Sequence, residues 1–103
     1  MTPQEMIVVH VDTEIAELIP RFLANQQKAL ATMQEALRQE DYATLGCLGH
    51  SMKGAAGGYG FDAITDIGGA IEQAAKASQY AEINACLASL EHYLAHVEIV
   101  YDA

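Results

Sequence analysis

The feature that most restricts the fold of this chain lies near its end, where Tyr80, Ile83, Leu87, Leu90, Leu94, Val97 and Tyr101 recur in steps of three and four. That spacing makes one side of an α-helix apolar, and such a helix must bury its apolar side against other elements. Strand-like alternation is confined to Ile7–Val11, so there is little from which to build a sheet. The helical spacing returns instead in Leu23, Gln26, Leu30, Met33 and Leu37, and again in Ile64, Ile67, Ile71 and Ala74 or Ala75. Helices packed on helices are expected.

The breaks between helices follow from backbone chemistry. Asp12 or Thr13 is suited to cap a short first helix, and Pro20 belongs in the first turn of a second one, which puts the break near Glu17–Ile19. Asp41 is an N-cap candidate for a third helix over Tyr42–Gly58. Gly57, Gly58 and Gly60 supply its terminator, because glycine tolerates the left-handed conformation. Short connections favour antiparallel neighbours, so the expected architecture is an all-α, antiparallel up-down four-helix bundle with a short additional N-terminal helix. The domain is expected over residues 12–103, with residues 1–11 as an N-terminal segment to which no role is assigned.

Composition then narrows the function. A chain of 103 residues has room for one hydrophobic core. Fourteen acidic residues against five basic ones give a formal charge of −9, which repels a phosphate backbone, so no nucleic-acid partner is expected. Apolar runs fall far short of the ~20 residues of a membrane span; a cytoplasmic protein without membrane insertion is the expectation. No spare apolar seam calls for a dimer, and a monomer is expected. Cys47 and Cys86 lack zinc-site spacing and read as reduced thiols, redox control through Cys47 being the minor alternative. His92 and His96 have the i, i+4 spacing of a metal pair, but no third ligand stands near, so polar residues on a bundle flank are the preferred account and no metal is expected.

The third helix is unusual. At about 100° per residue, Leu45, Leu48, Met52, Ala55 and Tyr59 share one face and His50 points almost directly away from it. Around His50 lie Ala43, Gly46, Cys47, Lys53, Gly54 and Gly57, all small except Lys53. An ordinary wet face carries Glu, Lys, Gln and Arg, since each interior glycine costs about 0.8–1 kcal/mol relative to alanine. Two explanations remain open on the residues alone: a smooth surface on which another protein can approach a reactive imidazole, or close packing against a neighbouring helix. An imidazole is largely neutral and nucleophilic at physiological pH, and Lys53, one turn on, is placed to neutralise an anion. Tyr42 and Tyr59 are expected to brace the two helix ends at the edge of the core.

The run His50-Ser51-Met52-Lys53-Gly54, with Gly60 ten residues after the histidine, resembles the signature of the histidine phosphotransfer (HPt) family. Glu40-Asp41-Tyr42 before it and Ile71-Glu72 after it fit the same pattern, so the resemblance spans roughly Ile15 to Tyr101. It implies a four-helix bundle relaying phosphoryl groups between receiver-domain aspartates, with His50 phosphorylated, Lys53 near the phosphoryl group and Gly54 leaving room for it. Gly57 and Gly58 depart from the family, where larger or polar residues are commoner. The implied partners are response-regulator receiver domains, a hybrid histidine kinase, or both, docking over Ala43, Gly46, Cys47 and Gly57. No glycine-rich nucleotide loop is present, so a phosphoryl carrier without ATP-dependent kinase activity is expected. No cofactor is expected in this chain, magnesium being supplied by the receiver. The competing class is a helical docking module that binds signalling proteins without carrying phosphate.

Overall fold

A computed structural model describes residues 7–102. Strand β1 (Ile7–Asp12) leads into a 3₁₀ helix (Thr13–Leu18), followed by α1 (Ile19–Arg38), α2 (Tyr42–Gly57), α3 (Asp62–Lys76), α4 (Tyr80–His96) and strand β2 (Val97–Asp102). Asp12 caps the 3₁₀ helix by accepting the Glu14 N–H at 2.8 Å, and Pro20 sits in the first turn of α1, where its missing N–H costs nothing. Asp41 caps α2 by accepting the Thr44 hydroxyl at 2.6 Å and the Thr44 N–H at 3.1 Å. Those two bonds, the hydroxyl foremost, hold its carboxyl below the usual carboxylate range. The cap is therefore complete at neutral pH and fades as pH falls through that lowered value.

The four helices form an up-down bundle in which α1 and α3 each pack on both α2 and α4. Met33, Leu45, Ile64, Ile71, Ile83 and Leu90 are buried at its centre. Each fully buried aliphatic side chain contributes about 1.5–3 kcal/mol. Towards the end where α1 starts, Phe22 stacks on Phe61 at 5.0 Å and against Tyr59 at 4.8 Å, so Tyr59 braces the end of α2 as expected. Gln26 is buried, and its Oε1 has no partner among the described residues.

The final apolar stripe does not stay helical. α4 stops at His96, and Val97 already has extended backbone (φ −71°, ψ 133°). Val97–Asp102 instead pairs in parallel with Ile7–Asp12, Ile7 opposite Val97 and Asp12 opposite Asp102. A step of four residues, as from Val97 to Tyr101, satisfies a two-residue period as well as a helical one; β-branched Val97, Ile99 and Val100 tip the balance to strand. β1 crosses the division expected between residues 11 and 12, and Val11 is buried in the core. The expected segment 1–11 thus lies within the described residues only from Ile7 onward.

The glycine terminator acts through one residue. Gly60 alone among the glycines has a left-handed backbone (φ 84°), whereas Gly58 is right-handed (φ −69°). With Gly60 left-handed, the Phe61 N–H reaches back to the Ala56 carbonyl at 3.2 Å, closing the helix end.

Candidate functional site

His50 projects from the middle of α2 with its side chain 71% exposed. Its one hydrogen-bond partner among the described residues comes from the neighbouring helix: Nδ1 lies 3.0 Å from Glu72 Oε2 of α3. A carboxylate can only accept, so in the neutral imidazole this bond puts the proton on Nδ1 and the lone pair on Nε2. The other carboxylate oxygen, Oε1, stands 3.7 Å from Lys53 Nζ. Glu72 is only 14% exposed and bridges the histidine and the lysine, which are both largely in water. Such a half-exposed ion pair contributes little to stability, about 0–1 kcal/mol; its consequence is the orientation it imposes.

The bridge depends on how closely α2 and α3 approach. A Cβ on Gly49 would stand 2.8 Å from the Gly68 carbonyl oxygen, and one on Gly68 would stand 2.8 Å from both the Gly49 oxygen and the Lys53 nitrogen. The backbones meet at this pair, and the stem of Lys53 passes over Gly69, where a Cβ would lie 3.5 Å from its Cδ. The contact rotates α2 from the expected face: Gly49 and Ala56 are buried with Leu45 and Met52, while Leu48 is half-buried and Ala55 exposed. Gly49, outside the set of small residues around His50, serves helix packing, and within that set a Cβ on Gly46 would stand 3.7 Å from the Ala75 Cβ. A Cβ on Gly54 would meet nothing within 4 Å.

Beside His50 runs a groove of about 560 Å³ between α2 and α3, lined by Tyr42, Ala43, Gly46, Cys47, Ser51, Glu72, Ala75 and Lys76. Ala43, Gly46 and Cys47 are thus gathered with His50. Gly57 is not among these lining residues; it lies at the end of α2, where a Cβ would be 3.8 Å from Thr65 Oγ1. Tyr42, Ser51, Glu72, Ala75 and Lys76 line the groove although the sequence assigned none of them to the site. The last three reach it across the α2–α3 contact, for which the sequence signals are the pair Gly68-Gly69 and the Ile71-Glu72 of the family pattern.

Other reactive groups stand apart. Cys47 is exposed and Cys86 half-buried, both free, and burial followed by the nearby Glu82 pushes the Cys86 thiol up. The His92 and His96 rings stack at 4.1 Å and 26°, and His96 Nδ1 lies 2.8 Å from the His92 carbonyl oxygen. Near-parallel rings direct their in-plane lone pairs alongside each other instead of towards a common point. Among the described residues no three His, Cys, Asp or Glu side chains form a metal-binding group, and no helix is long and apolar enough to cross a membrane.

The site is thus an exposed imidazole on a helical bundle, held through Nδ1 by a carboxylate of the neighbouring helix and set beside a groove. The family model of the Hpt domain matches residues 17–99, and the chain belongs to that family. At the level of the family this means histidine phosphotransfer in phosphorelays, with receiver domains and kinases as the general partners. No curated protein and no solved structure gives a significant match.

Proposed function

We propose that this protein carries a phosphoryl group on Nε2 of His50, taking it from a receiver-domain aspartyl phosphate or a hybrid kinase and passing it to another receiver aspartate. The observation that carries the reading is the Glu72–His50 hydrogen bond on a bundle of this family. The free lone pair of Nε2 attacks phosphorus in line, the Nε2–P bond forms, the P–O bond to the aspartate breaks, and that carboxylate leaves. The ring becomes a phosphoimidazolium whose proton stays on Nδ1, so the charge that develops during attack faces Glu72. Lys53 turns from Glu72 to the phosphoryl oxygens, and Gly54 leaves them space. Transfer onward is the reverse of these steps, with magnesium held by the receiver.

In this proposal the receiver docks on the groove through Ala43, Gly46 and Cys47, with Ala75 and Lys76 on its far wall. The partners place the protein in the cytoplasm. As a carrier it needs no nucleotide site of its own.

Incubation with phosphorylated receiver domains is expected to put acid-labile, base-stable phosphate on the protein, mapped by fragmentation to His50. A folded, helical protein that takes no label from any donor or kinase would overturn the proposal and leave the docking module. Glu72→Gln retains an acceptor for Nδ1 but loses the charge, and is expected to slow transfer about 5–10-fold, the difference of roughly 1 kcal/mol between charged and neutral hydrogen bonds. Glu72→Ala removes the acceptor and is expected to be slower still. Equal rates for all three proteins in single-turnover assays would show that Glu72 is not the positioning residue.

A further inference from the structure

The pairing of β1 with β2 leaves an unusual surface at the end of the bundle where α1 starts and α4 ends. Two strands alone are marginal, and parallel strands are ordinarily covered on both faces. Here the inner face, with Ile7, Val9, Val11, Val97 and Ile99, packs on the core, while Val8 on the outer face is 50% exposed and Val100 37%. Of the five large hydrophobic side chains exposed among the described residues, Val8, Leu18, Val100 and Tyr101 all belong to this ribbon and the 3₁₀ helix beside it; Tyr80 is the exception. Within each strand alternate N–H and C=O groups face the partner, and the remainder face an outer edge that is unpaired among the described residues.

We infer that the outer edge of β1 pairs with β1 of a second copy of this chain, antiparallel about a two-fold axis through Val9, to give the four-stranded sheet β2-β1-β1-β2. That register sets Ile7 opposite Val11 and Val9 opposite Val9 on the inner face, and Val8 opposite His10 on the outer one. Each residue meets one of its own face, as the two-residue period demands. Charge selects this edge. β2 carries Glu98 and Asp102, which a two-fold through Val100 would set against each other, and acidic residues on an edge oppose pairing. β1 carries one acidic residue, Asp12, which lies beyond the paired stretch and caps the 3₁₀ helix, and its His10 meets Asp102 of the same ribbon at 3.2 Å. Pairing of β1 with a second copy's β2 would be head-to-tail and would propagate into filaments, whereas the β1–β1 seam closes on itself.

The monomer expected from the helices alone took no account of this edge. The ribbon packs chiefly on the 3₁₀ helix, so the seam leaves the His50 groove of α2 and α3 open. A six-residue edge buries less than the about 1,200–2,000 Å² of a standard stable interface, so the dimer is weak and concentration-dependent.

Sedimentation equilibrium from micromolar to millimolar protein is expected to show a monomer–dimer equilibrium and nothing larger. Val8→Lys puts a charge on the seam while standing opposite Glu98 within its own ribbon, and is expected to weaken dimerisation at least tenfold without changing the helical circular dichroism. In a Cys47→Ser, Cys86→Ala background, oxidised Val9→Cys is expected to cross-link two copies and Ile99→Cys is not. A single monomer mass up to millimolar concentration, growth beyond the dimer, a dimer indifferent to Val8→Lys, or preferential cross-linking through Ile99→Cys would each overturn the inference.

Discussion

Replacing His50 by glutamine is expected to abolish phosphoryl acceptance and leave the fold as it is. The side chain is 71% exposed and makes one hydrogen bond, to Glu72, which Lys53 also contacts. Glutamine is at least as good a helix former as histidine, and exposed substitutions away from packed or strained positions fall within about 0.5 kcal/mol. Thermal melting of the variant should therefore overlay that of the wild type. Transfer should nonetheless vanish, because an amide nitrogen has no lone pair free for in-line attack. The measurement is phosphate incorporation from a receiver that labels the wild type, with both proteins at equal concentration and shown to be equally helical. Label persisting in His50→Gln would move the acceptor to His10, His92 or His96, the remaining histidines of the chain. His10 also has Nδ1 on a carboxylate, Asp102 at 3.2 Å, but it belongs to the ribbon and is not among the residues that line the α2–α3 groove, and His92 and His96 stack on one another.

The exposure of His50 could be read from the sequence because it needs only one helix. An imidazole surrounded by glycine and alanine is a contrast visible along α2 alone, and Lys53 follows one turn later on the same surface. What orients the imidazole was not legible, because Glu72 belongs to α3 and its place beside His50 depends on how far α3 is from α2. That distance is set by Gly49 and Gly68. Glycine on a helix face has the same appearance in sequence whether it opens a surface to a partner or admits a second backbone, and this ambiguity also explains why the core face of α2 was expected on Leu48 and Ala55 instead of Gly49 and Ala56. Gly57 was drawn into the docking set by its angle on the helical wheel, which carries no information about position along the axis.

The fold was legible wherever caps and prolines mark an end, as at Asp12, Pro20 and Asp41. It was less so where an end is made by an ordinary residue in a left-handed conformation. α1 and α3 close in the same way as α2, with Asp41 N–H to the Ala36 carbonyl at 2.8 Å and Gln79 N–H to the Ala74 carbonyl at 2.9 Å. The left-handed residues are Glu40 (φ 53°) and Ser78 (φ 51°), neither of which announces itself as glycine does. The β1–β2 ribbon was hidden for another reason: its two strands are separated by the whole bundle, and parallel pairing between chain ends leaves no local turn signal.

Gly68→Val is expected to be the most damaging single substitution in the α2–α3 interface. The new Cβ would lie 2.8 Å from the Gly49 oxygen and 2.8 Å from the Lys53 nitrogen, and 3.3 Å from the Lys53 Cα. All three are backbone atoms that cannot swing aside, so the helices must separate. Overpacking of a core costs about 1–3 kcal/mol where side chains can adjust; with backbone on both sides the loss is expected to be about 3 kcal/mol or more, a large share of the roughly 5–15 kcal/mol that holds a domain folded. Gly54→Ala is the matched control. Its Cβ meets nothing within 4 Å, so it is expected to gain about 0.5–1 kcal/mol from helix propensity alone. Urea midpoints of the two variants should therefore move in opposite directions from the wild type. Separation of α2 from α3 also draws Glu72 away from His50, so whatever fraction of Gly68→Val stays folded should transfer phosphate more slowly per folded molecule, towards the behaviour of Glu72→Ala. A Gly68→Val protein as stable and as fast as the wild type would mean that the helices do not meet at their backbones and that the His50–Glu72 bond does not depend on that contact.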